Sequence, residues 1–460
     1  MPDVIPIAVK ALEREGVTFG DVRTERRTSF FVRVVNDRTQ NLDQARRRGW
    51  GIRAFVDGAW GYASGTTFDS AAIRAGAAKA TAIAKASLAA GVPRSTLRKP
   101  PAGRKAAKSS IKVDPRDVAA EEKIRAATEV CAGQRLDGVR SRTAVYGDSD
   151  LEFELGNTWG ADVSWREVRT RLIGQAVAAE GDRQEAAHKL SDGTAGWELV
   201  RDVDCDAFGQ EVGREATEMV RAIKPPSGLQ TVVADPGVAG LLAHEVMGHA
   251  SEADEVVKHR SFLTRIVGAR VGSSLVTMYD DGTVRGAHGS IPFDAEGTPA
   301  HRTPVIDHGV YRGFLQSLET AASLKTTPTG NGRAQDFDRR VWVRMTNTFF
   351  APRQESKDDI IADTKSGVLT RSWVSGMEDI VGGGFQAVTM SGFLIHKGEI
   401  GARVRGMTLT GQALSILKSV DRVSKEFALD GGNCGKGEED YVPVSAGGPF
   451  MRCRIIVGGG

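Results

Sequence analysis

Apolar residues alternate with polar ones in several short runs of this chain and recur at a helical period in a few longer ones, which predicts a mixed architecture. Residues 29–35 and 51–56 read as strands. Asp57-Gly58, followed by Ala59-Trp60-Gly61-Tyr62, is a hairpin signal. Asp69 is placed to cap a helix over 70–89, rich in alanine with Ile73, Ile83 and Leu88 as its larger apolar residues. Residues 1–16 carry an amphipathic helical pattern. Asp114-Pro115 starts another helix reaching about Cys131. Residues 143–146, 151–155, 162–165 and 170–179 then read as successive strands of a meander, punctuated by Gly156-Asn157 and Gly160. A helical stretch over 204–223 leads into Pro225-Pro226-Ser227-Gly228, the main boundary.

Beyond that boundary one clear helix is followed by many short β-like runs, with Asp280-Asp281-Gly282, Asp307-His308-Gly309 and His396-Lys397-Gly398 as turn signals. The predicted fold class is α+β: an N-terminal sheet-and-helix region, then a strand-rich C-terminal domain carrying the metal-site helix. The N-terminal region, 1–225, divides into a first part (1–90), a linker (91–113) and a central part (114–225). The C-terminal domain spans 229–460. Pro93, Pro100 and Pro101 stand among Arg94, Arg98, Lys99, Arg104, Lys105 and Lys108 with no apolar periodicity, which predicts a solvated connector.

Composition narrows the function classes. A chain of 460 residues with 40% hydrophobic content is expected to build more than one core. Its 61 basic and 58 acidic residues leave a net charge of only +3, which excludes a global field that would recruit nucleic acid or an anionic membrane. No apolar run approaches the roughly 20 residues of a membrane span. Cys131, Cys205, Cys434 and Cys453 show no paired spacing, so a reducing, cytoplasmic setting is expected.

The chemistry concentrates in His244-Glu-Val-Met-Gly-His249. Residues 230–234 read as a buried strand, and Asp235-Pro236 then starts a helix whose inner face is Val238, Leu241 and Leu242. Imidazoles bind Zn²⁺, and a carboxylate beside the metal can take a proton from water. In the common H-E-x-x-H helix the histidines lie at i and i+4, about 40° apart around the axis. Here the second lies at i+5, about 140° away on a regular helix. The two rings share an ion only if the helix widens or ends near Gly248, and a π-type turn would achieve this. On a regular helix, a plain contact between Glu245 and His249 at i, i+4 also explains the pattern.

Catalytic zinc usually takes three protein ligands. His188, His259, His288, His301, His308 and His396 are isolated and read as surface or structural residues. Cys434 lies in Gly431-Gly-Asn-Cys-Gly-Lys-Gly437, a stretch flexible enough to present a thiolate, with Lys436 nearby to favour it; a buried structural cysteine is the other reading.

Nearly the whole chain resembles the TldD/PmbA metallopeptidases. The likeness is carried by Asp43, Gly49-Trp-Gly-Ile-Arg53, Asp57-Gly-Ala-Trp-Gly61 and the His-Glu-x-x-x-His motif. It continues in Pro292-Phe-Asp-Ala-Glu-Gly-Thr298, Thr329-Gly-Asn-Gly-Arg333, Arg344-Met-Thr-Asn-Thr348 and the Cys434-Gly-Lys stretch with its closing Val-Gly-Gly. The resemblance implies one zinc held by His244, His249 and Cys434, with Glu245 as general base, in a TldD-like, metal-bearing member. It also implies peptidase action on unstructured polypeptides or peptide precursors inside a dimer, with a second copy or with a paralogue that lacks the motif. Gly437-Glu-Glu-Asp-Tyr441 is more acidic than the family's usual ending, which bears on substrate preference. Two rival functions share the motif: a zinc amidase of small molecules, and a non-catalytic partner that binds polypeptides around a structural zinc.

Overall fold

The computed structural model describes residues 4–99 and 103–459, so Met1, Pro100, Pro101 and Gly460 lie outside the described residues. In the first half, α1 (Val4–Arg14) precedes a hairpin of long strands, β1 (Phe19–Val35) and β2 (Arg38–Val56). Asn36 and Asp37 turn the chain at φ 47° and 65°, and Asp57 and Gly58 at 46° and 101° lead into β3 (Ala59–Gly65). Two consecutive positive φ values match the right-handed twist of the flanking strands. There follow α2 (Ser70–Ala89), β4 (Gly103–Lys108), α3 (Ala120–Gly133), β5 (Val139–Asn157), β6 (Ala161–Glu180), β7 (Arg183–Gly193), α4 (Glu198–Arg201) and α5 (Cys205–Val220). Asp69 and Asp204 cap α2 and α5 by accepting from backbone N–H groups.

Among the described residues these strands form a seven-stranded sheet in the order β3-β2-β1-β5-β6-β4, with β7 also on β6. Three expectations are corrected. Residues 143–146 and 151–155 belong to one strand, β5, and residues 162–165 and 170–179 to another, β6. Gly147 and Asp148 continue the β5 ladder opposite Phe31 and Phe30, so a polar gap in the pattern is no turn. In the stretch read as a linker, β4 pairs in parallel with β6. Its basic side chains stay exposed, as befits an edge strand. Between Asp114 and Cys131, a short 3₁₀ turn (Pro115–Asp117) gives way at Val118 to extended backbone before α3 begins.

The second half opens with β8 (Gly228–Ala234) and α6 (Pro236–Leu241). Short strands follow: β9 (Met278–Asp281), β10 (Arg302–Asp307), β11 (Val310–Tyr311), β12 (Gly332–Arg333), β13 (Trp342–Val343) and β14 (Asn347–Phe350). Longer strands close the domain: β15 (Ser366–Asp379), β16 (Gly384–His396), β17 (Glu399–Arg405), β18 (Met407–Gln412), β19 (Arg422–Lys436) and β20 (Glu439–Gly459). Among the described residues an eleven-stranded sheet runs β11-β10-β9-β14-β20-β18-β16-β15-β8, with β17 on β16 and β19 on β20. The whole is the α+β arrangement expected.

The site helix is seated by this sheet. Val238, Leu241, Leu242, Val246 and Met247 are buried with Met345, Val444 and Cys434 in one apolar cluster. Each such side chain contributes roughly 1.5–3 kcal/mol on burial, so the helix is held by its inner face.

Candidate metal centre

Helix α6 does not continue regularly. From Leu242 to Gly248 it widens into a π-turn, and the N–H of His249 donates to the carbonyl of His244, five residues back. A 3₁₀ turn, His249–Ser251, then ends the helix. Gly248 has an ordinary helical φ of −62°, so it is needed for space and not for conformation. A Cβ there would stand 2.2 Å from Met345 Sδ.

The widened turn brings the two rings edge to face, with centroids 4.9 Å apart and planes at 86°. His244 Nε2 and His249 Nε2 each lie 3.3 Å from Cys434 Sγ, and all three side chains are buried. Cys434 is not on a free loop but near the end of β19, opposite Val442 of β20. Gly437, at φ 60°, makes the turn between these strands.

Two imidazoles and a thiolate are a zinc-type donor set. Zn–S near 2.3 Å and Zn–N near 2.0–2.1 Å at tetrahedral angles place S and N about 3.5 Å apart, close to the separations present, so the residues fit such an ion. Burial alone would raise the Cys434 thiol, but His249 and His244 outweigh it and hold it well below its ordinary range. The thiolate in turn raises both imidazoles against the effect of burial. These shifts favour the thiolate and protonated rings over the neutral triad, so metal binding, which needs neutral imidazoles, is coupled to proton release.

A second layer fixes these donors. His249 Nδ1 faces Glu252 Oε2 at 3.2 Å, the carboxylate–histidine arrangement that orients a ligand ring. Burial pushes Glu252 up, but Lys436, His249 and Arg344 bring its carboxyl down to about 2. Lys436 donates to Glu252 at 3.0 Å and Asp254 at 2.6 Å, so its ammonium serves these carboxylates, whereas from sequence it is expected to favour the thiolate. Arg344, fully buried, donates to the Cys434 carbonyl and to Glu439 at 3.0 Å. Glu439 thus gives part of the acidic Gly437–Tyr441 departure an internal role.

Glu245 reaches to 4.0 Å from His249 Nε2. It lies against β15, where a Cβ on Gly376 would come within 2.7 Å of its Cγ. Burial lifts its carboxyl to about 7, with Glu378 adding to the rise and the two histidines opposing it. Glu245, His249 and Glu378 form a second cluster of ligand-type atoms. The other histidines join neither cluster. Glu378, Glu252, Arg344 and Glu439 were not singled out from sequence. Glu252 sits three residues after His249, and Arg344 opens a motif of the resemblance, which are the signals that could have found two of them.

With this geometry in place, family models match consecutive parts of the chain: PmbA/TldA metallopeptidase domain 1 over residues 20–84, the central domain over 113–222 and the C-terminal domain over 227–459. The chain belongs to the PmbA/TldD metallopeptidase family. A protein of Methanothermobacter thermautotrophicus named metalloprotease is 34% identical over 444 residues, covering 96% of each chain. A Saccharolobus solfataricus protein named zinc metalloprotease TldD homolog is 28% identical over 286 residues, 62% of this chain and 63% of its own. The crystal structure of TldE from Thermococcus kodakarensis shares the fold, with a TM-score of 0.78 at 16% identity over 98% of each chain. No helix among the described residues is long and apolar enough to cross a membrane.

Proposed function

We propose that the protein is a zinc metallopeptidase that hydrolyses peptide bonds in unstructured polypeptides or peptide precursors. His244, His249 and Cys434 hold the ion, and Glu245 is the general base. The observation that carries this reading is the π-turn, which brings two imidazoles from i, i+5 positions onto one sulfur with a carboxylate beside them. When bound, zinc supplies a Lewis acid that polarises water and the scissile carbonyl. Glu245 takes a proton from the attacking water as its oxygen joins the carbonyl carbon. It returns that proton to the leaving nitrogen as the C–N bond breaks. Its raised pKa describes the metal-free site, and a dication alongside would draw it back toward the ordinary carboxylate range. Glu252 and Arg344 keep His249 and Cys434 in register.

The protein works as a dimer in this proposal, with a second copy or with a motif-lacking paralogue, in the cytoplasm. The four cysteines are free, in keeping with a reducing compartment. Metal analysis of purified protein is expected to give one zinc per chain, and Glu245→Gln to keep the zinc while cleaving an unfolded polypeptide about 10²–10⁴-fold more slowly. Undiminished cleavage by Glu245→Gln, or protein without stoichiometric metal, overturns the assignment. Rates that rise with peptide length distinguish a peptidase from a small-molecule amidase.

A further inference from the structure

A cavity of about 720 Å³ opens between the first sheet and the C-terminal domain, apart from the candidate metal centre. Asn433 and Val442 line it, the chain neighbour and the cross-strand partner of Cys434, so the hairpin that presents the sulfur also forms part of this wall. Neither the zinc site nor Glu245 uses it.

Its wall joins two chemistries. One side is apolar: Leu151, Phe153, Trp165 and Phe293, with the Phe153 and Trp165 rings stacked at 3.9 Å. The other carries Arg27, Arg169, Arg171 and Arg333. Arg333 is 6% exposed, donates to the Met345 carbonyl and makes no ion pair among the described residues; burial and Arg344 lower its guanidinium to about 10, with Asp280 and Glu439 opposing. The four guanidiniums lie close enough that Arg333, Arg27 and Arg171 all work with burial to destabilise the charge on Arg169.

Three of these four arginines face a carboxylate, and Arg333 does not. Asp148 is taken by Lys123, Glu167 by Arg169, and Asp294 by the N–H groups of Glu296, Thr298 and Gly332. Burial raises Glu25 to about 7 and Asp294 to about 8, which reduces their negative charge near neutrality. Asp192 holds Arg171 from outside the lining, Glu25 lies 3.8 Å from Arg27, and Asp43 is exposed. A partly buried group of arginines with an unpaired member is a receptor for a planar anion, because guanidinium forks match carboxylate oxygens two by two.

We propose that this cavity binds a carboxylate of the polypeptide substrate together with the apolar side chain beside it, as at a polypeptide C-terminus whose last residue is apolar. The inference rests on the peptidase reading for its ligand class, and its test does not need catalysis. Zinc-loaded Glu245→Gln protein is titrated with a fluorescent unstructured peptide ending in leucine, as free acid, as amide, and as amide with one internal glutamate. The free acid is expected to bind about tenfold or more tightly than the plain amide, the scale of one charge-assisted hydrogen-bonded pair. Arg333→Gln is expected to bring the two affinities together while leaving that of the amide unchanged. Arg171→Gln is the second variant should Arg333→Gln fail to fold. An internal-glutamate amide that matches the free acid supports the site and assigns the carboxylate to a side chain. Equal binding of acid and amide by the parent, or a preference that survives both arginine variants, overturns the proposal. If wild type cleaves nothing while the acid preference stands, the peptidase reading fails and the carboxylate site remains.

Discussion

Gly248→Ala tests whether the π-turn is fixed by packing. The new Cβ would lie 2.2 Å from Met345 Sδ and 3.2 Å from the Ala243 carbonyl oxygen, where unstrained carbon contacts fall near 3.5–4 Å. Met345 is fully buried, so it cannot swing into solvent, and the turn or the thioether must shift by about an ångström. Overpacking of this kind costs about 1–3 kcal/mol, of which alanine's better helix propensity offsets up to about 1. With that offset in full a net loss of up to about 2 kcal/mol is expected, with weaker zinc binding because His249 follows the turn. Met345→Ala alone is expected to cost about 2–5 kcal/mol by leaving a cavity. In that background Gly248→Ala fills part of the space and is expected to be neutral or stabilising. Urea unfolding of the four proteins at fixed zinc gives the coupling, expected to be at least about 1 kcal/mol, and competition with a chelator gives the affinity. If Gly248→Ala costs the same in both backgrounds, to within about 0.5 kcal/mol, the steric account is wrong.

Glu252→Gln keeps the shape but removes the charge facing His249 and Lys436, and chelator competition is expected to show zinc bound about 10–100-fold more weakly. Cys434→Ala is expected to abolish stoichiometric zinc, with metal content as the readout. Asp280 accepts from Asn331, from Thr348 and from both the N–H and hydroxyl of Thr346, so Asp280→Ala leaves several buried donors unpaired. Denaturant unfolding is expected to show a loss of about 3 kcal/mol or more. Burial, with Asp235 and Asp192 nearby, raises Asp430 to about 6. The folded state therefore holds this proton more tightly than the unfolded chain, and the contribution is full below the unfolded value near 3.8 and lost as pH rises through about 6. Asp430→Asn is expected to flatten that part of the stability–pH curve; an unchanged slope between pH 4 and 7 would count against it.

The features legible from sequence were those written in local chemistry. An i, i+5 histidine pair around a glutamate demanded a widened helix, and the π-turn is there. Asp57-Gly58 announced its hairpin, whereas Asn36-Asp37, without a glycine, passed unnoticed though its φ values are of the same kind. Gly147-Asp148 interrupted the alternation without interrupting the strand, because the ladder is held by neighbours on both sides, β1 and β6. What stayed hidden depends on distant pairings. Lys436 stands two residues from Cys434, yet carboxylates 182 and 184 residues away claim it. Arg344 holds the backbone carbonyl of Cys434 from 90 residues off, and its role follows only from β13, β19 and β20 lying together.

The distance along the chain between the donors also has a temporal meaning. His249 and Cys434 are 185 residues apart. At ribosomal rates of about 5–20 residues per second, the sulfur is made roughly ten to forty seconds after the imidazoles. On the proposed ligand set, a growing chain has only a two-donor fragment of its site throughout that interval. On that ligand set the site cannot be complete before β19 is made, and because β20 pairs with β14, β18 and β8, the sheet that carries it closes only at the end of synthesis, so the metal centre and the domain are finished together.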